Sequence, residues 1–208
     1  AMNPTRSLFR IAGIAAVAVA LSACVTVFPK TKPALLYRFD GAVAQSGPAA
    51  EVRRGVARAN GSFVGAAAGH RILTVTGSEV AYIAESRWAD PASVLFDEAV
   101  ARAFSANQGA ARLVARGEPA KADYSLRLDV QRFEAVYDQG GKAAPKVAVD
   151  VHVVIVRAQD RAVVRDETLS AEVRAGDNRV SAIVAAFDKA VSDVLTRTVG
   201  LTNDAAAS

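Results

Sequence analysis

Tyr124, Leu126, Leu128 and Val130 alternate with Ser125, Arg127, Asp129 and Gln131, and Val147, Val149, Val151, Val153 and Ile155 repeat the same two-residue period further on. A period of two sends successive side chains to opposite faces of a strand, so both runs predict long antiparallel strands with one apolar and one wet face. "GGKAAP" and "AQDR" break the runs as turns, and "AVVRDETLSAEVRA" adds a third run, which makes a meander. The phase slips at Arg132 and Phe133, where a bulge or an extension beyond the core is expected. A sheet with one apolar face needs a second layer to cover it.

Two helices are predicted to supply that layer. In "HRILTVTGSEVAYIAESRWADPASVLFDEAVARAF", the runs "RILTV" and "VAYIA" flank "TGSE" as a hairpin. Asp90 is expected to cap a helix running from Pro91 to Ala106, because a carboxylate can accept from a free N–H and proline presets φ for the first turn. Leu95, Phe96, Ala99, Val100, Ala103 and Phe104 then fall on one face at helical spacing. A second amphipathic helix is expected from Asn178 to Thr198, stopped at Gly200. "ALLYRFD" and "EVRRGVARA" read as earlier strands, the latter with a helical alternative. The expected fold is one α+β domain of two layers, a largely antiparallel sheet of about six strands with two main helices on one face.

The N-terminal stretch is of another kind. "RSLFRIAGIAAVAVALSAC" places Arg6 and Arg10 ahead of an apolar run of about 11 residues and then small residues, the plan of a secretory signal peptide. The apolar run is too short to span a bilayer, which takes roughly 20 residues. Leu21, Ser22, Ala23 and Cys24 match each position of the bacterial lipobox, which directs lipidation of the cysteine thiol and cleavage before it. Cys24 is therefore read as the attachment site of a diacylglyceryl and an N-acyl group rather than as a core thiol or a nucleophile. Ala1, ahead of Met2, is expected to be foreign to the natural chain. The organisation that follows is a signal peptide over 1–23, a lipidated tether over 24–34, a folded domain over 35–200 and a disordered tail over 201–208.

Composition enters at this point. Cys24 is the one cysteine of 208 residues, so no disulfide can support the domain, and stability must come from burial. Once Arg6 and Arg10 leave with the leader, 23 basic residues face 21 acidic ones, a near-balance with interspersed signs. Nucleic-acid binding calls for a concentrated basic patch, which is not present in the sequence.

Catalytic motifs are missing as well: no nucleophile elbow, no phosphate loop and no dinucleotide fingerprint occurs, and "GAAAGH" lacks the spacing for one. Asp150 and His152 share a strand face and form a conceivable metal pair, but a closed site needs three or four ligands. Trp88 is expected to pack in the core, with Arg71, Arg87 and Asp90 as surface or capping partners.

The lipobox, "LYRFD", "HRILTVTGSEVAYIAESRWADPASVLFDEAVARAF" and "ADYSLRLDVQRFEAVYD" together resemble the ABC-type transport auxiliary lipoproteins, the group that includes the paraquat-inducible protein C type. The likeness covers about Leu35 to Val199, and its most specific residues are Arg71, Tyr82, Arg87, Trp88, Asp90 and Pro91, none of which forms a catalytic motif. What the resemblance implies is a non-enzymatic component with no cofactor beyond its covalent lipid, anchored in the outer membrane and facing the periplasm. Its implied partners are a mammalian-cell-entry (MCE) protein and, through it, an inner-membrane ABC transporter that moves lipids between membranes, with self-association as an option. Val25, beside the lipidated cysteine, fits outer-membrane placement, since inner-membrane retention typically uses aspartate there. A lipid-carrying envelope lipoprotein is the alternative, and an envelope hydrolase the weakest one.

Overall fold

The computed structural model describes residues 33–43, 49–115 and 117–208. The chain divides into two units, Ala1–Pro33 and Ala34–Ser208. The leader, Cys24 and the tether as far as residue 32 lie outside the described residues.

Among the described residues the order is β1 (Leu35–Tyr37), β2 (Arg54–Arg58), β3 (Arg71–Thr76), β4 (Glu79–Trp88), α1 (Ala92–Ala106), β5 (Ala111–Leu113), β6 (Tyr124–Val136), β7 (Lys146–Arg157), β8 (Val163–Arg174) and α2 (Val180–Ala207). The α+β class stands, with eight strands where about six are expected. Strands as short as β5 give no alternation long enough to be read.

The meander β6–β7–β8 is antiparallel throughout, and its ladders are the longest in the sheet. Register passes from Val130↔Val151 to Arg132↔Asp150, which leaves Gln131 as the extra residue. This bulge turns the phase over: Tyr124, Leu126, Leu128 and Val130 are buried before it, Phe133 and Ala135 after it. Arg132 is thereby left on the wet face.

The other edge of β6 is shared. Near its start it pairs in parallel with β2, whose far side carries β5. Near its end it pairs in parallel with β3, which leads by an antiparallel hairpin to β4 and by a parallel step to β1. The gap between β2 and β3 is filled by residues 59–64, which bond to β6 through Ala59 N–H to the Leu126 carbonyl and Val64 N–H to the Val130 carbonyl. Gly61 lies so close to β6 that a Cβ there would overlap the Leu128 carbonyl oxygen.

Both helices cover the apolar face and touch each other. The α1 stripe buries Leu95, Phe96, Ala99, Val100, Ala103 and Phe104. Its start differs from expectation. Pro91 has an extended ψ of 136° and is the cap itself, and no side chain, Asp90 included, bonds the first turn. The free N–H groups of Ala92 and Ser93 instead reach the carbonyls of Gly69 and Ala68, at 3.0 and 3.2 Å. Backbone from the loop before β3 does what a capping side chain does elsewhere.

The second helix also runs past its expected stop. It begins at Val180 and continues through Gly200 to Ala207, so the tail over 201–208 is not disordered but helical almost to its end. Thr202, Ala205 and Ala206 are buried there. Gly200 permits continuation because glycine weakens a helix by only about 1 kcal/mol, less than the burial of the following turns returns. Thr198 and Thr202 keep their buried hydroxyls bonded to the Val194 and Thr198 carbonyls, at 2.8 and 2.7 Å.

Between the layers sits an aromatic cluster. Trp88 meets Phe39 and Phe187 edge-on at 5.2 and 5.3 Å between ring centroids, and Phe133 lies 4.8 Å from Phe187. Phe63 links Phe133 to Phe96 of α1. Such edge and offset contacts add about 0.5–1.5 kcal/mol per pair to plain burial.

Candidate functional site

The six residues singled out from the sequence meet at one corner of the domain, where the β3–β4 hairpin joins α1. The Trp88 side chain points inward and is buried, and its backbone N–H donates to the His70 carbonyl at 2.7 Å. Pro91 starts the helix, and Asp90 is exposed. The remaining three lie outside: Arg71, Tyr82 and Arg87 line an open cleft of about 650 Å³ together with His70 and the Gly65–His70 loop.

A bulge makes this grouping. Residues five apart on a regular strand face opposite ways, so Tyr82 and Arg87 would be separated. Register runs from Leu73↔Tyr82 straight to Arg71↔Arg87, so that Ile83–Ser86 on β4 oppose Ile72 alone on β3. Glu85 takes a left-handed φ of 53° within it. Arg71 then stacks its guanidinium 4.0 Å from the Tyr82 ring centroid, and the Tyr82 hydroxyl donates to the Ala66 carbonyl at 3.1 Å. No sequence signal announces the bulge, since "IAES" carries neither glycine nor proline.

The wet face of the meander holds the charges that the sequence left open. Arg132 bonds Glu134 at 3.1 Å and Asp150 at 3.4 Å, with Glu172 at 3.9 Å and Lys146 on Glu172 at 2.7 Å. Burial would lower the Arg132 pKa, but hydrogen bonds and charge from Glu134 and Asp150 outweigh it and hold it above its usual value. His152 turns the other way, Nε2 to Asp166 at 2.6 Å and Nδ1 within 3.7 Å of Asp129. Asp150 and His152 thus meet different partners. Among the described residues no three His, Cys, Asp or Glu side chains are placed to hold an ion.

A second cleft, of about 380 Å³, opens where the sheet divides, between residues 58–63 and α1. Its charged pair, Arg58 and Asp97 at 2.9 Å, joins residues 39 apart in sequence, a distance over which periodicity says nothing. Burial lowers the Arg58 pKa against the pull of Asp97.

The model of the ABC-type transport auxiliary lipoprotein component matches residues 65–199. The chain belongs to this family. The auxiliary-lipoprotein match begins at the loop flanking the cleft and ends inside α2, so it takes in Arg71, Tyr82, Arg87 and Trp88 and leaves β1, β2 and the last turns of α2 outside. Among solved structures, a Xanthomonas campestris protein of family DUF330 is 26% identical, with a TM-score of 0.71 over 82% of this chain and 95% of that one. An uncharacterized protein at 11% identity and TM-score 0.62, over 84% and 99% of the two chains, shares the fold. No curated protein matches the chain. As an auxiliary lipoprotein of ABC-type transport, it is an envelope component associated with a membrane.

Proposed function

We propose that this chain is an outer-membrane lipoprotein whose periplasmic domain docks the distal end of an MCE assembly in lipid transport between the two membranes, without catalysing a reaction. The observation that carries the reading is the filled interior. The space between helices and sheet, where a carrier would hold an acyl chain, is occupied by Phe39, Trp88, Phe133 and Phe187 in mutual contact. A ligand site for a drug-sized apolar molecule needs an apolar concavity of about 300–1,000 Å³. The cleft at the corner and the one between residues 58–63 and α1 reach that size, but arginines line the first, the second carries the Arg58–Asp97 ion pair in its lining, and both open to water. The domain therefore offers surfaces, which suits docking better than carriage.

Cys24 is the anchor in this reading. One acyl chain holds a protein only marginally, at about 0.8 kcal/mol per buried CH₂, whereas two or more hold it durably. A chain carrying Cys24→Ser should lose palmitate labelling and partition away from membranes.

The deciding experiment is capture of the MCE protein from the same genome by the detergent-solubilised lipoprotein, read together with native mass spectrometry. Docking predicts a stoichiometric complex and a domain with no lipid beyond the covalent group. Retained phospholipid without MCE capture would turn the reading to the carrier.

A further inference from the structure

The geometry points to the cleft at Arg71 and Arg87 as a seat for the phosphate of a phospholipid headgroup at the membrane that anchors the chain. Arg71 and Arg87 are direct register partners on antiparallel strands. Like charges placed opposite each other in a sheet are destabilising. Arg58, Arg112, Arg132, Arg157 and Arg174 each meet a carboxylate. Among the described residues neither Arg71 nor Arg87 has an ion-pair partner. Among the described residues the fold thus keeps an arginine pair without a carboxylate partner at a concave place, and a doubly contacted anion is what relieves such a pair.

The pair is also oriented. Stacking on Tyr82, whose hydroxyl is tied to Ala66, holds the plane of the Arg71 guanidinium, whose N–H fork has no acceptor among the described residues. A planar fork matches two oxygens of a phosphate. The cleft of about 650 Å³ has room for a glycerophosphate headgroup.

The neighbours choose the source of the anion. Leu36 of β1 is the register partner of Arg87, so Leu36, Arg87 and Arg71 form one row across three strands. Leu36 is 65% exposed and Leu35 is 63% exposed. Leucine beside arginine is the pairing that a lipid interface accepts, the apolar side chain below the headgroups and the charge among them. Leu35 follows Cys24 by eleven residues, a reach of at most about 39 Å at ~3.5 Å per residue. This last step rests on the lipid-anchor reading of Cys24 and is independent of MCE docking.

The test uses the full chain carrying Cys24→Ser, titrated with monomeric dihexanoyl-phosphatidylglycerol and, separately, with inorganic phosphate. Calorimetry and the fluorescence of Trp88, the sole tryptophan, report binding. Saturable binding of the short lipid, weakened at least ten-fold in Arg71→Ala/Arg87→Ala and unchanged in Arg165→Ala, is the expected result. The thermal midpoint of the double variant should hold or rise, because like-charge repulsion goes with the arginines; a fall would mark the pair as structural and overturn the inference. Equal affinity for inorganic phosphate, or binding that survives the double substitution, or none at all, would overturn it too. Palmitate labelling of the unaltered chain tests the anchor separately, so labelled protein with an indifferent cleft sinks this inference alone.

Discussion

The carboxamides of Asn107 and Asn203, 96 residues apart, bond each other reciprocally, Nδ2 of Asn107 to Oδ1 of Asn203 at 2.9 Å and Nδ2 of Asn203 to Oδ1 of Asn107 at 3.0 Å. Asn203 Oδ1 also accepts from the Ala111 N–H, and Asn107 Oδ1 from the Gly109 N–H. Arg53 closes the arrangement on the carbonyls of Asn107, Gly109 and Ala111. The final turns of α2 are in this way bound to the link between α1 and β5. Asn203→Ala leaves the Ala111 N–H without its acceptor and the buried Asn107 amide with one of its two, at about 1–3 kcal/mol for an unsatisfied group. Urea unfolding should show a loss of about 2 kcal/mol, and deletion of residues 200–208 a larger one.

Trp88→Ala should remove the hub of the aromatic cluster and cost about 3–5 kcal/mol. Trp88→Phe keeps a ring against Phe39 and Phe187 and should cost distinctly less. Chemical denaturation of both variants checks the order, and the reverse order would mean that the indole is not what fills this space.

Gly61→Ala should destabilise by about 1–3 kcal/mol, as overpacking does. The bonds of Ala59 and Val64 to β6 hold the segment on either side, so it has little freedom to retreat from Leu128. Gly69→Ala, with open space around its Cβ position, is the matched control and should be near neutral in the same thermal melts.

Acid should weaken the domain through Asp129. Burial would raise its pKa, but bonds from the Ser62 hydroxyl and N–H, aided by Arg127 and His152, hold it below the ordinary value. A depressed carboxylate contributes stability that is complete above its unfolded pKa of ~3.9 and is lost as pH falls through the folded value. Thermal midpoints should therefore be insensitive to this group from pH 7 down to about 5 and then decline, and Asp129→Asn should flatten that decline. A variant that tracks the parent at every pH would remove Asp129 from the account.

Much of this architecture is legible in the sequence where the forces are local. The meander, its bulge near Arg132 and the buried stripe of α1 follow from spacing alone, because each strand or helix has one face in the core and the side-chain period records it. What spacing misses has distant causes. The start of α1 depends on carbonyls of Ala68 and Gly69, its extension partner α2 on a carboxamide near residue 107, and the parallel pairing of β2 with β5 on a 57-residue detour between Arg54 and Ala111. The cleft is intermediate. "RIL" and "SRWADP" identify its residues, yet only the four-residue bulge puts Tyr82 and Arg87 on the same side.

The shared edge of β6 has a consequence for how the chain comes to be folded. Synthesis delivers the N terminus first, and Val56 and Thr74 find their neighbours on β6 only at Tyr124 and Ala135. Contacts of such separation form late, because the intervening loop must first be closed. Strands β1 to β5 therefore emerge as a hairpin and loose ends, with sheet edges unpaired and available to wrong partners. The hairpins of β6, β7 and β8 close locally and supply the template on which the earlier half settles. A nascent chain halted before residue 124 should be aggregation-prone, and one halted after Arg174 should have its whole sheet in reach.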